Sequence, residues 1–294
     1  MARESTRQTF QVALLLCLVC SFLVSFSAVT LRERQKQNRA DEMRRNILKA
    51  AFPGQLDAEG GFEELFEERG VKDLSEFFER FVKSRRVTMG TGEDVATTEA
   101  ERDYDQVEAS RDPASSSGLD LAASPGRDIA GIKRREDVGW VHLVQAASTA
   151  GDDGRVETVV VPIRGYGLWS TLKGFIAIDV ASLRGGPEAA TVRGLAYYSH
   201  GETPGLGGEV DNVNWKSKWP GKRIFDKAWA VQLRVTKSPS GPHDVDALTG
   251  ATITSNGVSN MLAFWLGEDG YGPFLRRLAR KESEVPSGEG VAGG

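Results

Sequence analysis

Cysteine is nearly absent: in 294 residues there are two, Cys17 and Cys20. Both sit near the N-terminus, so no disulfide stabilises the rest of the chain, and no cysteine there reports a redox compartment. Their C-x2-C spacing could suit a metal or redox site, but the chain brings no further thiol to complete one, and the two read better as small apolar residues in a lipid-facing helix. Histidine is scarce as well. His142, His200 and His243 match no zinc spacing and read as structural or surface residues. No Gly-x-Ser-x-Gly elbow and no P-loop occur, which leaves hydrolase and NTPase chemistry without residues. A basic excess is missing too: 37 Lys and Arg stand against 41 Asp and Glu, a net charge of −4 with a pI of about 5.6. No basic stretch interleaves with aromatics, and nucleic-acid binding is excluded on that balance.

Between Gln8 and Leu31 charge is missing altogether, and Phe10–Leu31 is mostly Val, Leu, Phe, Cys and Ala. About 20 apolar residues in a helix cross a hydrocarbon core of about 30 Å. The run exceeds the roughly 7–15 residues of a signal-peptide core, and no small-x-small cleavage site closes it. The sequence therefore predicts an uncleaved, single-pass anchor in membrane lipid. Its orientation is contested. Arg3 and Arg7 precede the span, while Arg32, Arg34, Lys36 and Arg39 follow it, and the flanking charges alone would keep the larger part cytoplasmic.

The remaining chain divides by composition. Residues 1–8 form a short N-terminal segment and 9–31 the transmembrane helix. Residues 32–127 are a juxtamembrane helix and a partly irregular acidic region, 128–281 a compact domain, and 282–294 a flexible tail. Within the second region Asp41–Phe52 reads as a helix stopped by Pro53-Gly54. Leu74, Phe77, Phe78, Phe81 and Val82 repeat at helical spacing, Arg86–Met89 reads as a strand, and 91–127 as irregular chain. In the compact domain, Trp140–Val144, Thr158–Val161, Phe175–Val180, Thr191–Tyr198 and Trp229–Val235 are short runs rich in β-branched and aromatic residues. Helical patterns lie mainly at the ends. The fold class expected is α+β: a mainly antiparallel sheet with flanking helices.

One of those helices follows Asp246-Ala-Leu-Thr-Gly-Ala-Thr-Ile-Thr254. Apolar residues fall at Val258, Met261, Leu262, Trp265 and Leu266, one face of a helix that Thr254 or Ser255 would cap and Gly267 would end. Thr249, Gly250, Ala251 and Thr252 then lie at or just before a helix N-terminus, where free N–H groups and the dipole favour a phosphate. An ordinary capped helix after a turn has the same pattern. Two more glycine-punctuated stretches stand out, Arg164-Gly-Tyr-Gly-Leu-Trp-Ser-Thr171 and Ser199-His-Gly-Glu-Thr-Pro-Gly-Leu-Gly-Gly208. Each alone reads as a turn, and the first is no dinucleotide fingerprint.

Together they carry more. Asp246-x-x-Thr-Gly-Ala-Thr252 resembles the covalent-flavinylation motif of bacterial FMN-binding domains. The order of the three stretches, with Phe264-Trp-Leu-Gly-Glu-Asp-Gly-Tyr-Gly-Pro-Phe-Leu275 after them, is similar to the C-subunit family of Na+-translocating NADH:quinone oxidoreductases. Tyr104-Asp-Gln106, Asp112-Pro113 and Asp128-Ile-Ala-Gly-Ile-Lys-Arg134 match earlier landmarks of that family. The resemblance implies FMN joined to Thr252 by a phosphoester, with Asp246, Thr249, Gly250 and Ala251 as the surrounding motif. It implies that Trp169, Ser170, Thr171, Glu202, Thr203, Gly205 and Leu206 surround the flavin. No catalytic acid or base and no metal ligand is implied, because the redox chemistry belongs to the flavin. Implied partners are a flavin transferase and the other membrane and flavin subunits of a sodium pump in a bacterial inner membrane. The family places its flavin domain on the periplasmic side, against the charge rule. A homologous subunit of a ferredoxin:NAD+ oxidoreductase, or a membrane-anchored scaffold without flavin, are the alternative readings.

Overall fold

The structure, a computed structural model, describes residues 6–96, 104–119, 127–146 and 155–280. The expected tail from Glu282 lies outside the described residues. The chain divides into two units, Met1–Met43 and Arg44–Gly294.

The described residues of the first unit are helical. Helix α1 runs from Thr6 to Ala51, 46 residues without a glycine or proline. The sequence predicts two helices here, a span and a second one over 41–52; they are joined. Arg, Gln, Glu, Lys and Ala between them are good helix formers, and nothing interrupts the hydrogen-bond ladder. The most apolar window of α1 has a mean hydropathy of 2.6, and none of it is buried. Hydroxyls inside this run bond locally, Ser21 donating to the Cys17 carbonyl at 2.7 Å and Thr30 to that of Phe26 at 2.9 Å. A helix that pairs its own backbone and turns mainly carbon outward is matched to lipid, and α1 is long and apolar enough to cross a membrane.

The second unit is built on a six-stranded sheet. Its strands are β1 (Val82–Thr88), β2 (Asp94–Val95), β5 (Val138–Gln145), β6 (Val156–Tyr166), β7 (Thr171–Asp179) and β8 (Val192–Ser199). Their order is β2-β1-β5-β6-β7-β8, every pairing antiparallel. β3 (Ser116–Gly118) and β4 (Arg134–Glu136) form a small antiparallel pair, and β9 (Arg234–Thr236) and β10 (Asp244–Asp246) a parallel one. The α+β expectation holds.

Side chains alternate between two cores. Val141, Leu143, Val159, Val161, Ile163, Leu172, Ile176 and Ile178 enter one, and Val144, Val160, Phe175, Ala177 and Ala196 the other. Burial on both faces explains why Val159-Val-Val161 and Phe175–Ile178 read as continuous apolar runs. The first core is closed by α7 (Thr252–Trp265) and α8 (Gly272–Arg280), with α5 (Val180–Arg184) beside them. The second is closed by the last turns of α1, by α2 (Gly61–Arg69) and by α3 (Leu74–Phe81). Helix α1 stops at Pro53-Gly54 as expected.

Three local expectations are corrected. Trp229–Val235 is strand only at its end, where β9 (Arg234–Thr236) pairs parallel with β10. Val82 begins β1 instead of ending the preceding helix. Part of 91–127 is ordered, since it carries β2, α4 (Gln106–Ala109) and β3. Asp105 caps α4 by accepting from the Val107 and Glu108 amides. Gln106 is then buried, donating to the Tyr271 hydroxyl at 3.0 Å and to the Glu136 carboxylate, and accepting from the Trp140 amide at 2.9 Å.

Candidate functional site

Three chain segments meet above α7. The first is the tip of the β6–β7 hairpin, closed where the Gly167 amide donates to the Ser170 carbonyl at 2.8 Å, with Leu168 and Trp169 at the turn. Trp169 is 68 % exposed, and Tyr166 and Leu168 beside it are exposed too. The hairpin is seated on residues 128–133: the Tyr166 amide donates to the Ala130 carbonyl, while Asp128 folds that segment by accepting from the Ile132 and Lys133 amides.

The second segment follows β8. Thr203, Pro204 and Gly205 form a turn in which the Leu206 and Gly208 amides donate to the Thr203 carbonyl. It leads into a 3-10 turn (Gly207–Asp211) and α6 (Val213–Lys216). Leu206 is 44 % exposed.

The third is the threonine motif. Helix α7 starts at Thr252, earlier than the expected Thr254 or Ser255 cap. The hydroxyls of those two residues are committed elsewhere. Thr254 donates to Glu202 at 2.8 Å, and Ser255 accepts from the Leu248 amide at 3.1 Å, which pins the preceding loop. The residue at the cap is Ala251, which has no side-chain acceptor, so the first N–H groups of this 14-residue helix receive none from it, and no acidic residue lies in the first turn. Gly250 has φ 73°, and a Cβ there would lie 2.9 Å from Leu206 Cδ2. Any other L-residue would be strained at this φ, and its Cβ would press on the tip of the Leu206 side chain. Thr249 and Thr252 are exposed, Ala251 is buried. Asp246 holds Lys218 in an ion pair of 2.8 Å, and its carbonyl accepts from the Trp215 indole.

Glu202 ties the segments together. It is 5 % exposed. One carboxylate oxygen accepts from the Trp169 and Ser170 amides at 3.0 and 3.1 Å and from the Ser170 hydroxyl at 3.1 Å. The Leu168 amide lies 3.2 Å from both oxygens, and the second oxygen accepts from Thr254. Burial pushes this carboxyl up, but the bonds from Thr254 and the amides of Trp169, Leu168 and Ser170 outweigh it and hold it below the usual carboxylate range.

All the residues expected around a flavin therefore lie on the three segments. They divide into two groups. Trp169, Thr203, Gly205, Leu206, Thr249 and Thr252 face outward, whereas Glu202 and the Ser170 hydroxyl are bonded to one another and to the protein, with Thr171 half-buried at the start of β7. Sequence reasoning gave Thr254 and Ser255 the role of caps and missed both their bonds to the loops and the buried support of β6. There Arg164 reaches Glu136 at 2.6 Å and lies 4.9 Å over the Trp265 ring, whose indole donates to the Arg164 carbonyl at 2.6 Å. The only signal was an arginine next to Gly165, directly after the apolar run Val159–Ile163.

The profile of the FMN-binding domain family matches residues 167–267, which begin at the hairpin tip and end just after α7. The C subunit of the Na+-translocating NADH-quinone reductase of Yersinia pestis is 40 % identical over 278 residues, 94 % of this chain and 94 % of that protein. Its counterpart in Pseudomonas aeruginosa is 40 % identical over 287 residues, covering 96 % and 99 %. The chain belongs to this C-subunit family. Among solved structures, NqrC of Shewanella oneidensis superposes with a TM-score of 0.63 at 32 % identity, over 81 % of this chain and 96 % of that one. The corresponding protein from Parabacteroides distasonis gives 0.53 at 26 %, over 83 % and 96 %.

The site fits the cofactor that the domain family is named for. A helix N-terminus free of a side-chain cap, approached through a left-handed glycine, suits a phosphate. Exposed Trp169 and Leu206 offer apolar surface to a flat ring, and the exposed Thr203 hydroxyl is a polar group beside them.

Proposed function

We propose that this member of the C-subunit family bears FMN as a phosphoester on Thr252 and passes single electrons within a membrane-bound, Na+-translocating NADH-quinone reductase. The observation that carries this reading is the place of Thr252: an exposed hydroxyl on the first residue of a helix whose N-cap offers no competing acceptor. Attachment conserves atoms simply. With FAD supplied by a flavin transferase, the Thr252 oxygen would bond to the FMN phosphorus as the phosphoanhydride bond to AMP breaks, AMP leaving with the electron pair and the hydroxyl proton being released. The developing phosphodiester charge meets the first N–H groups of α7. FMN supplies the one-electron chemistry, and the chain supplies position and electrostatics. Trp169 and Leu206 would bound the ring, Thr203 would offer a hydroxyl to its polar edge, and Glu202 and Ser170 hold the loops. Partners are the other subunits of the complex, the transferase during maturation, and lipid around α1.

Thr252→Ala should abolish covalent flavin while leaving the fold unchanged, read as loss of fluorescence in denatured protein and loss of one FMN in mass. Wild-type chain that lacks this mass despite active transferase would restore the scaffold reading. The same requirement favours an outward-facing domain, because an unreachable threonine stays unmodified; flanking charge is only a statistical preference. Protease added to intact spheroplasts should digest the domain, and full protection until permeabilisation would reverse the topology.

A further inference from the structure

The glycines of the first two segments have a shared cause. A Cβ on Gly167 would lie 2.7 Å from one Glu202 carboxylate oxygen, and a Cβ on Gly207 would lie 2.7 Å from the other and 2.7 Å from Thr254 Oγ1. Both residues are small because a buried carboxylate occupies the space. That carboxylate is held by no cation among the described residues. Its partners are the amides of Leu168, Trp169 and Ser170 and the hydroxyls of Ser170 and Thr254. The Ser170 hydroxyl also accepts from the Gly201 amide at 2.7 Å, so its single proton is directed at Glu202.

We infer that Glu202 is a positioning residue that locks the Trp169 hairpin tip, the 199–208 loop and the first turn of α7 into one unit, and that it acts on the cofactor through these elements and through its charge. Every group facing it is a donor, and an ionised carboxylate, which only accepts, is the side chain that satisfies them all. Trp169 is held by its own amide, and Thr252 is two residues before Thr254, so the aromatic wall and the attachment residue share one anchor. Because dipoles and not a cation balance the carboxylate, its negative charge remains at the site and disfavours an added electron nearby. The cofactor half of this inference rests on the Thr252 reading; the anchoring half does not.

The test uses the full chain in detergent, made with and without flavin transferase, as wild type, Glu202→Gln and Thr254→Val. Glu202→Gln keeps shape but turns an NH2 group toward donors. In the flavin-free chains, amide exchange over 168–170 should quicken about 10-fold or more in Glu202→Gln, the loss of charge-assisted bonds. It should quicken less in Thr254→Val, which leaves the amide bonds intact. Unchanged exchange at 168–170 in Glu202→Gln overturns the anchor. In flavin-loaded chains, Glu202→Gln should raise the reduction potential and loosen the flavin, seen as lower fluorescence anisotropy, at equal FMN mass. Faster exchange with unchanged potential and anisotropy would reduce Glu202 to a purely structural group and overturn its positioning role. Absence of FMN from wild type would defeat the Thr252 reading, while the exchange arm still decides the anchor. If Glu202→Gln fails to fold, the double variant Ser170→Ala, Thr254→Val removes both hydroxyl donors to Glu202, and exchange at 168–170 should quicken more than in Thr254→Val alone; exchange no faster than in Thr254→Val overturns the anchor.

Discussion

The two faces of the central sheet are closed in different ways. On one, the last turns of α1 with α2 and α3 lay an apolar cover in which Phe77 meets Phe52, Phe66 and Phe81 at ring distances of 5.2–6.1 Å. On the other, α7 packs Val258, Met261, Leu262 and Trp265 but brings a polar end with it, where Thr254, Ser255 and Glu202 are all buried. The first face follows the hydrophobic pattern apart from His142, whose Nδ1 lies 2.8 Å from the Ser84 hydroxyl, and could be covered by many sequences. The second accepts a buried anion and uncapped N–H groups, a costly arrangement unless each partner is placed. Departure from the cheapest packing marks the face on which the candidate site lies.

The largest expected effect on stability lies on the plain face. Phe77 is completely buried, and Phe77→Ala should cost about 3–5 kcal/mol through lost burial and a cavity. Denaturant unfolding of the full chain in detergent measures this. Where the variant remains folded, its FMN content with transferase should match wild type. A variant that keeps its stability but loses FMN would break the distinction between the faces.

Most of this division was legible in the sequence. The span, the antiparallel strands and the α7 stripe follow from periodicity, and the three glycine-punctuated segments do converge. Three things were not legible. The start of α7 is displaced because Thr254 and Ser255 look like caps, yet their hydroxyls go to Glu202 and Leu248, partners distant in sequence. Gly167 and Gly207 suggest turn freedom, whereas they make room for a carboxylate that a linear pattern does not locate. The order of Gln106 depends on Glu136 and Tyr271, so its neighbourhood reads as irregular chain until the fold assembles.

A smaller, graded effect separates the faces by pH. His142, on β5, meets the Phe175 ring edge-on and stacks with Trp140, and burial pushes its pKa down to about 4 from 6.5. It is neutral when folded, whereas the unfolded chain takes a proton below about 6.5, so stability falls with pH between about 6.5 and 4. Glu202 has the opposite charge but the same direction. Its folded pKa lies below the unfolded value, so its stabilisation is complete above the ordinary glutamate range and is lost as pH falls through the folded value. Acidification should therefore weaken the plain face first. Unfolding free energies at stepped pH should decline from about pH 6.5, and His142→Phe should flatten that upper part while leaving the decline below about pH 4.5. A wild-type curve flat down to pH 4.5 would refute the assignment.

The smallest effect expected is at Trp169. Its side chain is 68 % exposed, and its position is fixed by its backbone amide on Glu202, not by ring packing. Removing the ring should therefore leave the hairpin tip, the α7 N-terminus and Thr252 in place. Exposed substitutions away from buried features change stability by about 0.5 kcal/mol or less, so Trp169→Ala should unfold at nearly the wild-type denaturant midpoint. Attachment draws on the Thr252 hydroxyl and the start of α7, and FMN mass should also be unchanged. What the ring contributes is an apolar wall beside the flavin, so fluorescence yield or reduction potential should move while mass and midpoint stay constant. Values of both at wild-type level would place the tip away from the flavin. A large loss of stability would mean that Trp169 packs against the domain, and the site face would then be held, like the other, by aromatic burial.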